Sequence, residues 1–114
     1  MRKSKINISG FKIGTAENRE GLTGVTVILA PDGGATAGVD VRGCAPGTRE
    51  TDLLDPRKTV QKIHAVVLSG GSAFGLEAAS GCVKYLAEQG VGFPIGNVCV
   101  PIVCSAVLFD LMIG

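Results

Sequence analysis

The sequence predicts an α/β fold, and three observations carry the prediction. Residues 25–30 (Val-Thr-Val-Ile-Leu-Ala) and 63–68 (Ile-His-Ala-Val-Val-Leu) are short β-branched runs of the kind that form buried strands. The second run leads directly into Ser69-Gly70-Gly71-Ser72, a sharp turn. Residues 73–89 then place apolar side chains at helical spacing. With 114 residues the chain has the size of one domain, and 1–114 reads as a single unit. Aromatics make up 4% and tryptophan is absent, so the core must rest on Val, Ile, Leu and Ala.

Taken in order, residues 11–14 suggest a short strand, and 25–30 a clear one. Pro31-Asp32-Gly33-Gly34 is turn chemistry. Residues 35–42 alternate small and polar residues with Val39 and Val41, which predicts a β-hairpin with 25–30. Residues 43–58 lack periodicity and read as an ordered loop with one helical turn at 52–54. In the helix, Phe74, Ala78, Ala79, Cys82, Val83, Leu86 and Ala87 form the apolar face, opposite Glu77, Lys84 and Glu88. Ser72 is the expected N-cap and Gly90 the expected stop. Gly75 and Gly81 weaken such a helix by about 1 kcal/mol each, which close packing on a sheet would offset.

Residues 98–114 are almost entirely apolar. The run is short, is broken by Pro101 and carries Asp110, so strands at 98–103 and 106–111 fit better than a membrane helix. Strands ending there would lack partners, which is the pattern of a chain cut inside a fold. The basic start at residues 1–5 is not followed by an apolar run and is not a signal peptide. A formal net charge of +1 gives no electrostatic reason to expect nucleic acid or membrane as a partner. Four unevenly spaced cysteines contain no Cys-x-x-Cys, which favours reduced thiols in a cytoplasmic protein over a metal site.

The candidate site is the 69–72 turn. It falls short of a dinucleotide fingerprint, because Ser72 stands at the third position counted from Gly70. It falls short of a P-loop, because Leu76 replaces the lysine. It falls short of a nucleophile elbow, because Phe74 replaces the last glycine. Two roles stay open for Gly70, Gly71 and Ser72: presenting backbone N–H groups to an anion, carbonyl or peptide end, or allowing strand and helix to pack closely. His64 is the sole histidine and has no partner motif, so it reads as structural. The polar loop at residues 46–52 either binds substrate or braces itself through Arg49–carboxylate pairs and threonine hydroxyls.

Residues 43–54 (Gly-Cys-Ala-Pro-Gly-Thr-Arg-Glu-Thr-Asp-Leu-Leu) resemble a stretch of the L-aminopeptidase/D-esterase (DmpA-like) peptidases. So do residues 64–79, with their strand–Gly-Gly-Ser–helix segment, and 21–27, 100–103 and 109–111 follow in the same order. Residues 92–99 depart, being shorter than the segment expected there, and Cys104 stands where proline is common. The resemblance implies a four-layer α/β/β/α sandwich of the N-terminal-nucleophile type. It implies a precursor that cleaves itself before a serine or threonine, whose new amine assists as base. A peptide or amide substrate, homo-oligomers and no metal or organic cofactor are expected from it. The nucleophile, the oxyanion-stabilising asparagine and the active-site tyrosine would lie beyond Gly114, so no catalytic residue is placed here. The chain is expected to be the inactive N-terminal portion of such a hydrolase, with Gly70, Gly71 and Ser72 as a wall of the substrate cleft. The alternative is a non-catalytic ligand-binding or interaction module on the same scaffold.

Overall fold

The computed structural model describes residues 8–114, and the basic start at 1–5 lies outside them. Five strands form one mixed sheet: β1 (Lys12–Asn18), β2 (Thr23–Leu29), β3 (Thr48–Arg49), β4 (Ala65–Ser69) and β7 (Val103–Val107). The order across it is β1-β2-β4-β7-β3. Only β4 and β7 run parallel, and the connection between them carries the helix α1 (Ala78–Glu88) and a small hairpin, β5 (Phe93–Ile95) with β6 (Val98–Val100). The α/β class expected from the sequence is therefore present.

The side-chain alternation of β4 organises the two faces. Ala65 and Val67 are fully buried and pack with Val103 of β7 against Ala79, Cys82 and Leu86 of α1. Val25, Val27 and Leu29 of β2 extend that core. The intervening residues turn to the other face, where Ile13, Ile28, Val66 and Cys104 form one row across four strands. Loop residues Leu53, Leu54 and Val60 cover part of that row through Ile63, Ile102 and Cys104. Leu68 remains 46% exposed there.

The hairpin partner differs from expectation. β2 pairs with β1, from Lys12↔Leu29 to Asn18↔Thr23, and with β4 on its other edge. With both edges occupied, nothing is left for residues 35–42. They make one isolated bridge, Ala35↔Ile63, and leave Val39 and Val41 exposed. The first strand is correspondingly longer than the four residues expected.

The helix is also divided. Residues Ser72–Glu77 are a 3-10 segment, and α1 proper starts at Ala78. Phe74 therefore does not share the buried face of α1 and is 81% exposed, while Ala87 also faces solvent. Ser72 is not a capping residue: Gly71 holds that place at φ 90, and no side chain caps the segment. The C-terminal end is as expected. Gly90 at φ 70 donates its N–H to the Ala87 carbonyl and Val91 donates to Leu86, a paired closure that seats Val91 on the core. Gly81 faces open space, so close packing does not explain it.

The tail holds two strands, but not with the expected bounds. The first stops at Val100, before Pro101, and β7 runs Val103–Val107; residues 108–110 are irregular and 111–113 form a turn. Residues 92–99, where the chain departs from the resemblance, hold most of the β5–β6 hairpin, which turns at Gly96 (φ 59) and ends at Val100. The helical turn expected at 52–54 is a plain turn, closed by the Leu54 N–H on the Thr51 carbonyl. No helix among the described residues is long and apolar enough to cross a membrane.

Leu86 is 4% exposed inside the helix–sheet core. Leu86→Ala should lower unfolding free energy by about 2–5 kcal/mol in denaturant titration. Phe74→Ala should change it by less than about 0.5 kcal/mol, and a larger loss would show that Phe74 belongs to the core after all.

Candidate functional site

The turn after β4 is shaped by what surrounds it. Gly70 donates its N–H to the Gly24 carbonyl (2.9 Å). The Gly71 N–H donates to Asp110 Oδ1 (2.7 Å), and Asp110 Oδ2 accepts from the Thr23 hydroxyl (2.6 Å). The Ser72 N–H donates to the Leu108 carbonyl and the Leu108 N–H to that of Ser69, both at 2.9 Å. The glycines follow from this geometry. A Cβ on Gly70 would collide with the Asp110 carboxylate and the Thr23 hydroxyl, and one on Gly75 with the Gly70 carbonyl. Gly71 sits at φ 90, where side chains are strained. Ser72 at φ 53 is a non-glycine residue in the left-handed region, a strain of about 1–3 kcal/mol of the kind that gathers at functional sites.

An open hollow of about 1250 Å³ lies beside the turn. Thr23, Ser69, Gly70, Val107, Asp110 and Ile113 contribute to its lining. Of the three residues expected from the sequence, Gly70 alone lines it; Gly71 and Ser72 stand behind, with their N–H groups bonded to residues 108 and 110. The Thr23 hydroxyl and the Gly71 N–H hold the Asp110 carboxyl below the usual carboxylate range, so it is ionised at neutral pH. A phosphate brought to this turn would therefore meet a carboxylate already in place.

The other candidates fall into structural roles. His64 is buried, and its Nδ1 accepts the Ile102 N–H (3.0 Å). Burial pushes its pKa down, so the ring is neutral and its bonded nitrogen is not a free base. Arg49 makes no carboxylate pair. It shares the helix-facing row with Val27, Val67 and Ser105, and its Nη1 donates to Ser80 Oγ (2.6 Å) and the Leu76 carbonyl (3.3 Å). The 46–52 loop is thus braced across the sheet to the helix, with Thr51 donating locally to Thr48 Oγ1 (3.2 Å). All four cysteines are free thiols. Burial and nearby Glu50 push Cys104 up to about 11, which keeps it protonated and a poor nucleophile. Among the described residues no group of His, Cys, Asp and Glu is arranged to hold a metal ion.

Sequence reasoning missed the role of Thr23 and Asp110. The one available signal was that Asp110 is the lone charge in the apolar run 98–114.

The family model for peptidase family S58 matches residues 5–114. An uncharacterized aminopeptidase of Mycobacterium tuberculosis is 54% identical over 91 residues, covering 80% of this chain and 26% of that protein. One from Mycobacterium leprae is equally similar, with 25% of its length covered. A 6-aminohexanoate-oligomer endohydrolase of Paenarthrobacter ureafaciens is 37% identical over 106 residues, covering 93% of this chain and 27% of the enzyme. The chain thus spans about a quarter of the length of the curated relatives it matches.

Three glycine substitutions separate the reasons given above. Gly70→Ala should destabilise by about 1–3 kcal/mol through overpacking. Gly71→Ala should destabilise by about 1–2 kcal/mol through its left-handed backbone. Gly81→Ala, in open space within the helix, should stabilise by about 0.5–1 kcal/mol. Equal effects in denaturant titration would refute the assignment. For His64, a folded pKa below the ordinary value means that the unfolded chain binds the extra proton first. Its stabilising contribution is therefore present above about pH 6.5 and is lost as pH falls through the folded pKa. His64→Asn, which keeps an acceptor, should flatten the thermal midpoint between about pH 6.5 and 5 relative to wild type.

Proposed function

The chain belongs to peptidase family S58, and from that premise we propose that it supplies the N-terminal portion of an aminopeptidase or related amide hydrolase. The observation that carries the reading is the match along residues 5–114 by a chain that spans only a quarter of its relatives. In this reading the complete protein matures by cleaving itself before a serine or threonine, which becomes the N-terminal nucleophile. This chain supplies no nucleophile and is inactive alone. The local geometry agrees, since His64 is occupied by a backbone N–H and Cys104 is held protonated.

Residues 1–114 act as one unit of the larger domain. Gly70, Gly71 and Ser72 form a wall of the substrate cleft, reached from the hollow at Gly70. The partly open sheet face around Ile13 and Leu68 suits a second sheet, as the four-layer α/β/β/α sandwich requires. Exposed Leu108, Phe109 and Met112 favour burial against further chain or a second copy in a cytoplasmic homo-oligomer. The substrate is a peptide or amide; the names of the relatives point to N-terminal residues of peptides and to 6-aminohexanoate oligomers. The second reading, a non-catalytic ligand module, draws on the hollow itself.

Purified alone, the chain should not hydrolyse an amino-acid anilide or a 6-aminohexanoate oligomer above the buffer rate. Expressed as one chain with the remaining three quarters of a family S58 sequence, it should hydrolyse one of them. Intact mass should then reveal a second chain beginning with serine or threonine. Hydrolysis by the 114-residue chain alone would overturn the inactive-portion reading. An uncleaved, inactive long chain that still binds amides would favour the ligand module.

A further inference from the structure

Residues 108–113 are held against the protein in an unusual way. Their side chains contribute little burial: Leu108 is 73% exposed, Phe109 72%, Met112 84% and Ile113 65%. Within these 114 residues, burial of apolar surface, the ordinary reason a segment stays put, is therefore weak. Polar contacts take its place, and they converge on one end of β4. Leu108 bonds through its N–H to Ser69 and through its carbonyl to Ser72, while Asp110 reaches Gly71 and Thr23. The Ile113 N–H closes a turn on the Asp110 carbonyl (3.1 Å), and Gly114 comes to rest against Gly21 at the β1–β2 turn.

We propose that residues 108–113 are a strap fastened by the Asp110 carboxylate, and that the strap and the 70–72 turn open together. Fastened, the strap occupies the N–H groups of Gly71 and Ser72 with the chain's own oxygens. Released, it leaves both N–H groups open to another acceptor, such as an acyl oxygen, and widens the hollow on the side of Ile113. The carboxylate is the fastening because, among the described residues, its two bonds are the only ones from the strap that join a side chain to both β2 and the turn. Charge-assisted bonds of this kind are about twice as strong as neutral ones. The meaning for catalysis rests on the reading of residues 70–72 as a cleft wall. The opening itself does not, and the test uses no substrate, so the two fail separately.

The test is residue-resolved amide hydrogen exchange on the 114-residue chain. In Asp110→Ala, the Gly71, Ser72 and Leu108 amides should exchange faster by about ten-fold or more. The Val67 amide, in the middle of the sheet, should keep its rate. Faster exchange at Gly71 alone, with Ser72 and Leu108 unchanged, would overturn the strap, since only the broken bond would have responded. Equal acceleration at Val67 would overturn it too, since the loosening would then be global. If Asp110→Ala does not fold, Thr23→Val removes one of the two donors and keeps the shape. It should show the same three amides accelerated to a smaller degree, and unchanged protection at all three would refute the proposal.

Discussion

One carboxylate decides how the strand–turn–helix junction is built. Asp110 accepts from the Thr23 hydroxyl and the Gly71 N–H, and so binds the start of β2, the end of β4 and the segment after β7. Its position removes the space a side chain at Gly70 would need. With Gly70 seated, its carbonyl removes the space at Gly75, and the backbone between them passes through φ 90 and 53 at Gly71 and Ser72. The glycine pattern that looks like a phosphate-binding loop is thus a record of crowding around an internal anion. Family S58 membership gives that crowding a place in a peptidase scaffold without placing a nucleophile in it.

The rest of the sheet depends on β4 in a simpler way. It stands at the centre of the sheet, antiparallel to β2 on one side and parallel to β7 on the other. Its inward residues, Ala65 and Val67, carry the helix; of its outward ones, Val66 packs with the loop residues Leu53, Leu54 and Val60 around Ile63 and Cys104, and Leu68 stays 46% exposed. Arg49 joins these two layers. It stands on the two-residue strand β3 and reaches across the sheet to Ser80 and Leu76. A guanidinium suits that reach, because it can donate to several acceptors on a rigid fork without pairing with an acid.

How much of this could be read from the sequence depended on distance along the chain. β2, β4, the helix stop at Gly90 and the turn at 70–72 rest on local chemistry, and they were legible. The partner of β2 was not. Residues 35–42 carry a hairpin pattern as good as that of 12–18, and the choice is made by which edge of β2 is already occupied by β4. In the tail the β-branched residues Val98, Val100, Val103 and Val107 do lie in strands, whereas Leu108-Phe109-Asp110-Leu111 is apolar without being β-branched and leaves the sheet. Phe74 was misplaced because a 3-10 segment shifts the helical phase, which periodicity alone does not register. In the site, the glycines were legible and their cause was not. Thr23 and Asp110 are 87 residues apart, and no spacing rule connects them.

That separation bears on the order of folding. The β1–β2 hairpin closes over a few residues and can form as soon as it is made, whereas the parallel β4–β7 pair must wait for the helix and the small hairpin between them. The 70–72 turn waits longer still, because the acceptors of Gly71 and Ser72 belong to residues 110 and 108. During synthesis at roughly 5–20 residues per second, a helix already wound at residues 78–88 therefore spends seconds beside a turn whose glycines have not been pinned. Once β7 docks beside β4, the acid just past it closes a junction laid down about forty residues earlier.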